Sequence, residues 1–246
     1  MRFFPPMHIP NRAEYIEMRV IICYNTAGNG GDIMENMILA LEIIGTVAFA
    51  VSGAVISINK RLDIFGVIFC AVITALGGGV LRDMLLANLP PVMFREYIYV
   101  ICAVATACGV FIAARLIGGR YTANLPAIDR VNNIFDALGL GVFTVVGINT
   151  AVSAGYGDNA FFAVFLGMTT GIGGGIIRDI VVREVPLVLS KRIYAVASMC
   201  GGIVYYLLRI VAGAGGVVSA VLGIAVVFAL RLLASVFRWD LPRAID

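Results

Sequence analysis

Long apolar runs separated by short clusters of charge, glycine and proline set the pattern of this chain. A helix needs about 20 mostly apolar residues to cross the hydrocarbon core of a bilayer. Seven runs approach that length: residues 37–58, 64–88, 97–118, 131–154, 160–182, 193–210 and 216–237. None alternates with the period of two that a membrane barrel strand requires, so the pattern predicts an all-α integral membrane protein with seven transmembrane helices.

Two of these runs carry the same interruption. Residues 76–83 read LGGGVLRD and residues 172–179 read IGGGIIRD, 96 positions apart. Three consecutive glycines are poor helix formers, and an Arg-Asp pair is expensive in hydrocarbon. The expectation is therefore a helix broken at Gly77, Gly78 and Gly79, and again at Gly173, Gly174 and Gly175, with Pro90 and Pro186 following at matching positions. Irregular backbone at membrane depth is tolerated where it packs in protein or lines water. Two readings follow: the glycines line a pore or site, or they let helices kink and pack closely.

The rest of the chain repeats as well. Glu42, Gly45 and Gly53 in the first run match Asp136, Gly139 and Gly147 in the fourth at a spacing of 94. The predicted plan is an N-terminal extension over 1–36, peripheral or disordered, a three-helix repeat over 37–118, a basic linker over 119–130, a second repeat over 131–211, and a seventh helix with its tail over 212–246. With three spans between equivalent positions, each helix of the second half crosses the membrane opposite to its partner, so the repeats are inverted. That arrangement is found in transporters whose discontinuous helices meet near the midplane.

Composition agrees with a membrane location: 61% of the 246 residues are hydrophobic and 13% charged, with a mean hydropathy of +0.98. If the N-terminus is outside, eleven lysines and arginines, Arg231 among them, fall on the inner side against five outside, leaving aside Arg82 and Arg178. Cytoplasmic loops collect positive charge, which predicts N-out and C-in. The same topology puts Glu42 and Arg82 near the outer end and Asp136 and Arg178 near the inner end. Each first-helix acid is then expected to pair with its own repeat's arginine, with Asp83 and Asp179 as next candidates. Such pairs either hold the bundle together or gate it.

Other chemistry finds no support. The five cysteines have no C-x-x-C spacing, and the single histidine precedes the first span, so neither a zinc site nor a histidine-based triad is expected. GIGGGI at 171–176 lacks the third glycine and the soluble βαβ setting of a dinucleotide turn. No enzyme activity, catalytic residue, cofactor or nucleic-acid partner is expected.

The duplicated GGGxxRD with its following proline, an acid opening the first and fourth spans, and the three-three-one plan together resemble the trimeric intracellular cation (TRIC) channels. The resemblance is strongest to their bacterial relatives, also described by a "glycine transporter" domain name, and covers about residues 37–237. It implies a homotrimer in a bacterial inner membrane, surrounded by lipid. Each protomer would carry a pore lined by glycine-kinked second and fifth helices and permeable to monovalent cations, K+ or Na+, chiefly potassium. The flanking charges would then be Arg82, Asp83, Arg178 and Asp179. The rival reading is a secondary transporter of a small amino acid such as glycine, with the two discontinuous helices forming a closed substrate site.

Overall fold

The structure, a computed structural model, describes residues 30–190, 193–237 and 239. Seven long helices run through the described residues: α1 (Gly30–Asn59), α2 (Ile64–Leu85), α3 (Ile98–Ile117), α4 (Leu125–Ala151), α5 (Ala160–Val181), α6 (Ile193–Tyr206) and α7 (Gly216–Phe237). All seven are long and apolar enough to cross a membrane once the short π-helical turns ending α4 and α6 are included. The predicted spans therefore hold to within a few residues at most ends. Two boundaries differ. Most of the expected extension over 1–36 lies outside the described residues, and α1 is already helical at Gly30. The expected linker over 119–130 is itself helical, with one turn at Gly119–Ala123 and α4 starting at Leu125, where Pro126 fits the first turn. From Ala40 onward the chain is one compact unit, and the residues before it belong to another.

The second and fifth helices are built alike at both ends. The Asp63 carboxylate caps α2 by accepting from Gly66 N at 2.8 Å, and the Asn159 side chain caps α5 by accepting from Phe162 N at 3.0 Å. At the far ends, Asn88 N donates to Asp83 O and Glu184 N to Asp179 O, closing each helix with the six-to-one bond of a Schellman turn. Ala87 and Arg183 occupy the left-handed position of that turn, at φ 54° and 58°, where glycine would be the ordinary choice.

Between those ends the expected break is absent. Helical hydrogen bonding runs unbroken through Gly77–Gly79 and Gly173–Gly175. The energies explain the correction. Glycine costs about 1 kcal/mol per position relative to alanine, whereas each backbone group left unpaired in lipid costs several kcal/mol. Keeping the helix is cheaper.

The glycines instead bring α2 and α5 together. A Cβ on Gly78 would overlap the Thr170 carbonyl oxygen, and one on Gly174 would overlap the Thr74 carbonyl oxygen. Residues 74 and 170 correspond at the same spacing of 96, so the contact is the same from both sides. Other contacts come in exchanged pairs too. Gly45 packs on the Phe143 ring and Gly139 on the Phe49 ring, and the two rings lie 5.3 Å apart between centroids. Gly53 sits against Thr74 and Ala71, while Gly147 sits against Thr170 and Gly167. Thr74 and Thr170 each turn their hydroxyl back to the carbonyl four residues earlier, at 2.6 Å, so neither leaves a polar group unpaired in this contact.

The outward faces of α3 and α7 carry exposed Ile101, Ile112, Leu116, Val218, Val221 and Val236, a surface suited to acyl chains. At the ends of the bundle, contacts join segments expected on one membrane side. Lys60 pairs with Glu184 at 2.5 Å, and Tyr206 donates to Gly157 O at 2.6 Å. Tyr121 donates to Asn59 at 3.0 Å; burial, aided by nearby Asp129, raises its phenol pKa above the ordinary value. The four described cysteines are free thiols.

Candidate functional site

Two charged clusters flank the crossing of α2 and α5, one in each half. In the first, Arg82 reaches Glu42 on α1 through Nη1 at 3.4 Å and Asp83 through Nε at 2.9 Å. The remaining carboxylate oxygen of Asp83 accepts from Val92 N at 2.8 Å, at the start of the one-turn helix Val92–Arg95. Tyr99 on α3 completes the cluster, donating to Glu42 Oε2 at 2.5 Å.

The second cluster reproduces this wiring. Arg178 reaches Asp136 on α4 through Nη1 at 2.9 Å and Asp179 through Nε at 2.8 Å. Asp179 Oδ2 accepts from Leu187 N at 2.8 Å, at the start of the turn Leu187–Ser190. Tyr194 on α6 stands where Tyr99 stands on α3. The structure thus brings together all six charged residues singled out in the sequence as two clusters of three, each arginine meeting both the first-helix acid expected for it and the aspartate that follows it. It adds a division of labour: Asp83 and Asp179 tie the arginine to the chain beyond the helix, while Glu42 and Asp136 tie it to the first helix of the repeat.

The halves differ in their further partners. Arg231, from the C-terminal third of α7, donates through Nη2 to Asp136 Oδ2 at 3.3 Å and to Asn133 Oδ1 at 3.1 Å. Its guanidinium carbon lies 4.4 Å from the centre of the Tyr194 ring, a cation–π contact. Ser52, reaching across from α1, accepts from Arg178 Nη1 at 2.8 Å and donates to Asp136 at 3.3 Å. Two guanidiniums therefore face two carboxylates, and Arg178, Asp136, Asp179 and Arg231 are all at most 3% exposed. Charges this deep persist only when paired.

In the first half one guanidinium faces two carboxylates. The Glu42 side chain is 20% exposed, and beside it lies a half-open pocket bordered by Glu42, Thr46, Gly79, Arg82, Tyr99 and Phe143 among others. The glycine triplets split in function accordingly. Gly77, Gly78, Gly173 and Gly174 form the helix crossing. Gly79 borders the cavity, where a Cβ would meet only Arg82 Nη2, at 3.9 Å, and Gly175 lies against the Tyr194 hydroxyl. Among the described residues no group of three or more His, Cys, Asp or Glu converges as a metal site would require.

Sequence reasoning missed Tyr99, Tyr194, Ser52 and the partners of Arg231. The tyrosines repeat at a spacing of 95 in the third helix of each half, which is a usable signal. Arg231 was counted among the loop charges, although an arginine inside the run 216–237 is itself a sign of a buried partner.

The family model described as "glycine transporter" matches this chain twice, over residues 39–115 and 133–209. An inner membrane protein of Escherichia coli K12, the UPF0126 protein YadS, is 36% identical over 201 residues, covering 82% of this chain and 92% of that protein. A UPF0126 membrane protein of Deinococcus radiodurans is 38% identical over 170 residues, covering 68% and 74%. Among solved structures, a prokaryotic TRIC channel crystallised in 0.5 M KCl superposes with a TM-score of 0.75 at 34% identity, covering 84% of this chain and 100% of that one. The TRIC orthologue from Rhodobacter sphaeroides gives 0.73 at 30% identity, covering 82% and 99%.

Proposed function

Because the chain belongs to the TRIC family, we propose that it is a monovalent cation channel, permeable to potassium, assembled as a homotrimer in the bacterial inner membrane with one pathway in each protomer. The observation that carries this reading is the pair of charged clusters placed on either side of the α2–α5 crossing, one of them bordering a cavity. The pathway enters at the Glu42 cavity and follows α2 and α5. At their crossing Gly78 and Gly174 touch backbone to backbone, so conduction requires the helices to part there. Beside that contact Ile177 packs on Gly77 and Leu81 on Gly173, so these side chains must shift as the helices part. The arginine–carboxylate clusters set the cost of that movement, since each joins α2 or α5 to the first helix of its own half.

Purified protein in a planar bilayer under a potassium gradient should show single-channel steps that reverse near the potassium equilibrium potential, and the detergent-solubilised particle should have the mass of three chains. Electrically silent membranes that show saturable glycine uptake would replace this reading with the transporter.

The repeats are inverted in this proposal, with the N-terminus outside. With Arg231 moved from the loop count into the bundle, the basic bias becomes ten to five and keeps its sign. A reporter fused after Asp246 should behave as cytoplasmic, and one inserted at Tyr156–Asp158 as external. The opposite pattern would reverse the orientation and exchange the two mouths.

A further inference from the structure

We propose that the cavity beside Glu42 is a seat for one compact monovalent cation, held between the Glu42 carboxylate and the face of the Tyr99 ring. The argument rests on comparing the two halves. Acid, arginine, aspartate and tyrosine correspond one to one: Glu42 with Asp136, Arg82 with Arg178, Asp83 with Asp179, and Tyr99 with Tyr194. In the second half this quartet holds a further cation, the Arg231 guanidinium, against the acid's second oxygen and over the tyrosine ring. The quartet therefore accommodates a monovalent cation next to its own arginine.

Arg231 comes from α7, and α7 has no counterpart in the first half. There Arg82 lies between the Glu42 and Asp83 carboxylates, and the space beside Glu42 and Tyr99 is a half-open pocket. The pocket has room for water-sized species, the scale of an alkali ion. The Glu42 carboxylate, partly exposed at the pocket, attracts a cation, and the ring face adds its quadrupole. Glu42 is partly exposed where Asp136 is sealed, so the seat exchanges its ion with solvent while its counterpart is occupied by a tethered group. This inference rests on the channel reading, for which it names the ion's position.

The test is calorimetric titration of the purified trimer in detergent with guanidinium chloride at millimolar concentration, far below denaturing levels, at constant ionic strength. Saturable binding of one guanidinium per protomer, displaced competitively by potassium, is expected. Glu42→Gln should weaken it at least about tenfold and Tyr99→Leu several-fold, both effects following from the charge and ring contacts. Arg231→Met should raise the stoichiometry to two, because it vacates the corresponding place in the second half. Absence of saturable binding, binding that survives Glu42→Gln, or a folded Arg231→Met protein that still binds one ion would each overturn the proposal. If Arg231→Met does not fold, the Glu42 and Tyr99 variants decide. Potassium flux without guanidinium binding would remove the seat and leave the channel standing. Binding without flux would do the reverse.

Discussion

Replacing Asp136 by asparagine should destabilise the protein by roughly 3–5 kcal/mol, the range found when one partner of a buried ion pair is removed. The carboxylate is shared by Arg178 at 2.9 Å and Arg231 at 3.3 Å, and both arginines are buried. Its loss leaves two guanidiniums facing Asp179 alone. Glu42→Gln removes the corresponding acid of the first half, but Glu42 holds one arginine at 3.4 Å and is 20% exposed, so its loss should cost clearly less. Thermal unfolding of the detergent-solubilised protein, followed by size-exclusion chromatography, measures both. Combining Asp136→Asn with Arg231→Leu should recover part of the loss, with a coupling of about 0.5–3 kcal/mol for groups in contact. Equal stability of Asp136→Asn and Glu42→Gln would contradict the asymmetry between the clusters.

Gly78→Ala and Gly174→Ala should each be severely disruptive, while Gly79→Ala, one residue away, should be neutral or stabilising. At Gly78 and Gly174 the added methyl meets a backbone carbonyl oxygen, of Thr170 or Thr74, and a backbone cannot rotate aside as a side chain can. The helices must separate along their whole contact, at a cost at or above the usual overpacking penalty of about 1–3 kcal/mol. At Gly79 the nearest atom is the end of the Arg82 side chain, 3.9 Å away, and alanine gains about 1 kcal/mol of helix propensity. The broken-helix expectation would have had bulky residues at these glycines block the pathway with the fold intact. With a continuous helix, substitutions at the crossing should show first as loss of folded protein, which the same chromatographic assay reads.

The seven spans were legible in the chain because crossing a bilayer imposes a length and an apolar composition that no tertiary contact can replace. The two-half plan was legible because a duplicated segment keeps its spacing: 94 for the acids, 96 for the arginines and the following aspartates. That membrane-side logic alone paired Glu42 with Arg82 and Asp136 with Arg178, since a charge in hydrocarbon must find a partner at its own depth.

The fate of the glycines was not legible. A triple glycine weakens a helix from within, and whether the helix breaks depends on what lies across from it. Here the Thr74 and Thr170 backbones fill that space, and the contact outweighs the propensity. Nor could the chain's pattern show that α7 enters the second cluster and leaves the first open. Arg231 lies 95 residues beyond Asp136, joined to it by no periodicity or repeat, and their contact exists because α7 packs on α4 and α6. Local pattern reports the cost of each residue in its own segment, whereas a long-range contact is set by which helix faces become neighbours, and that is settled only when the bundle packs.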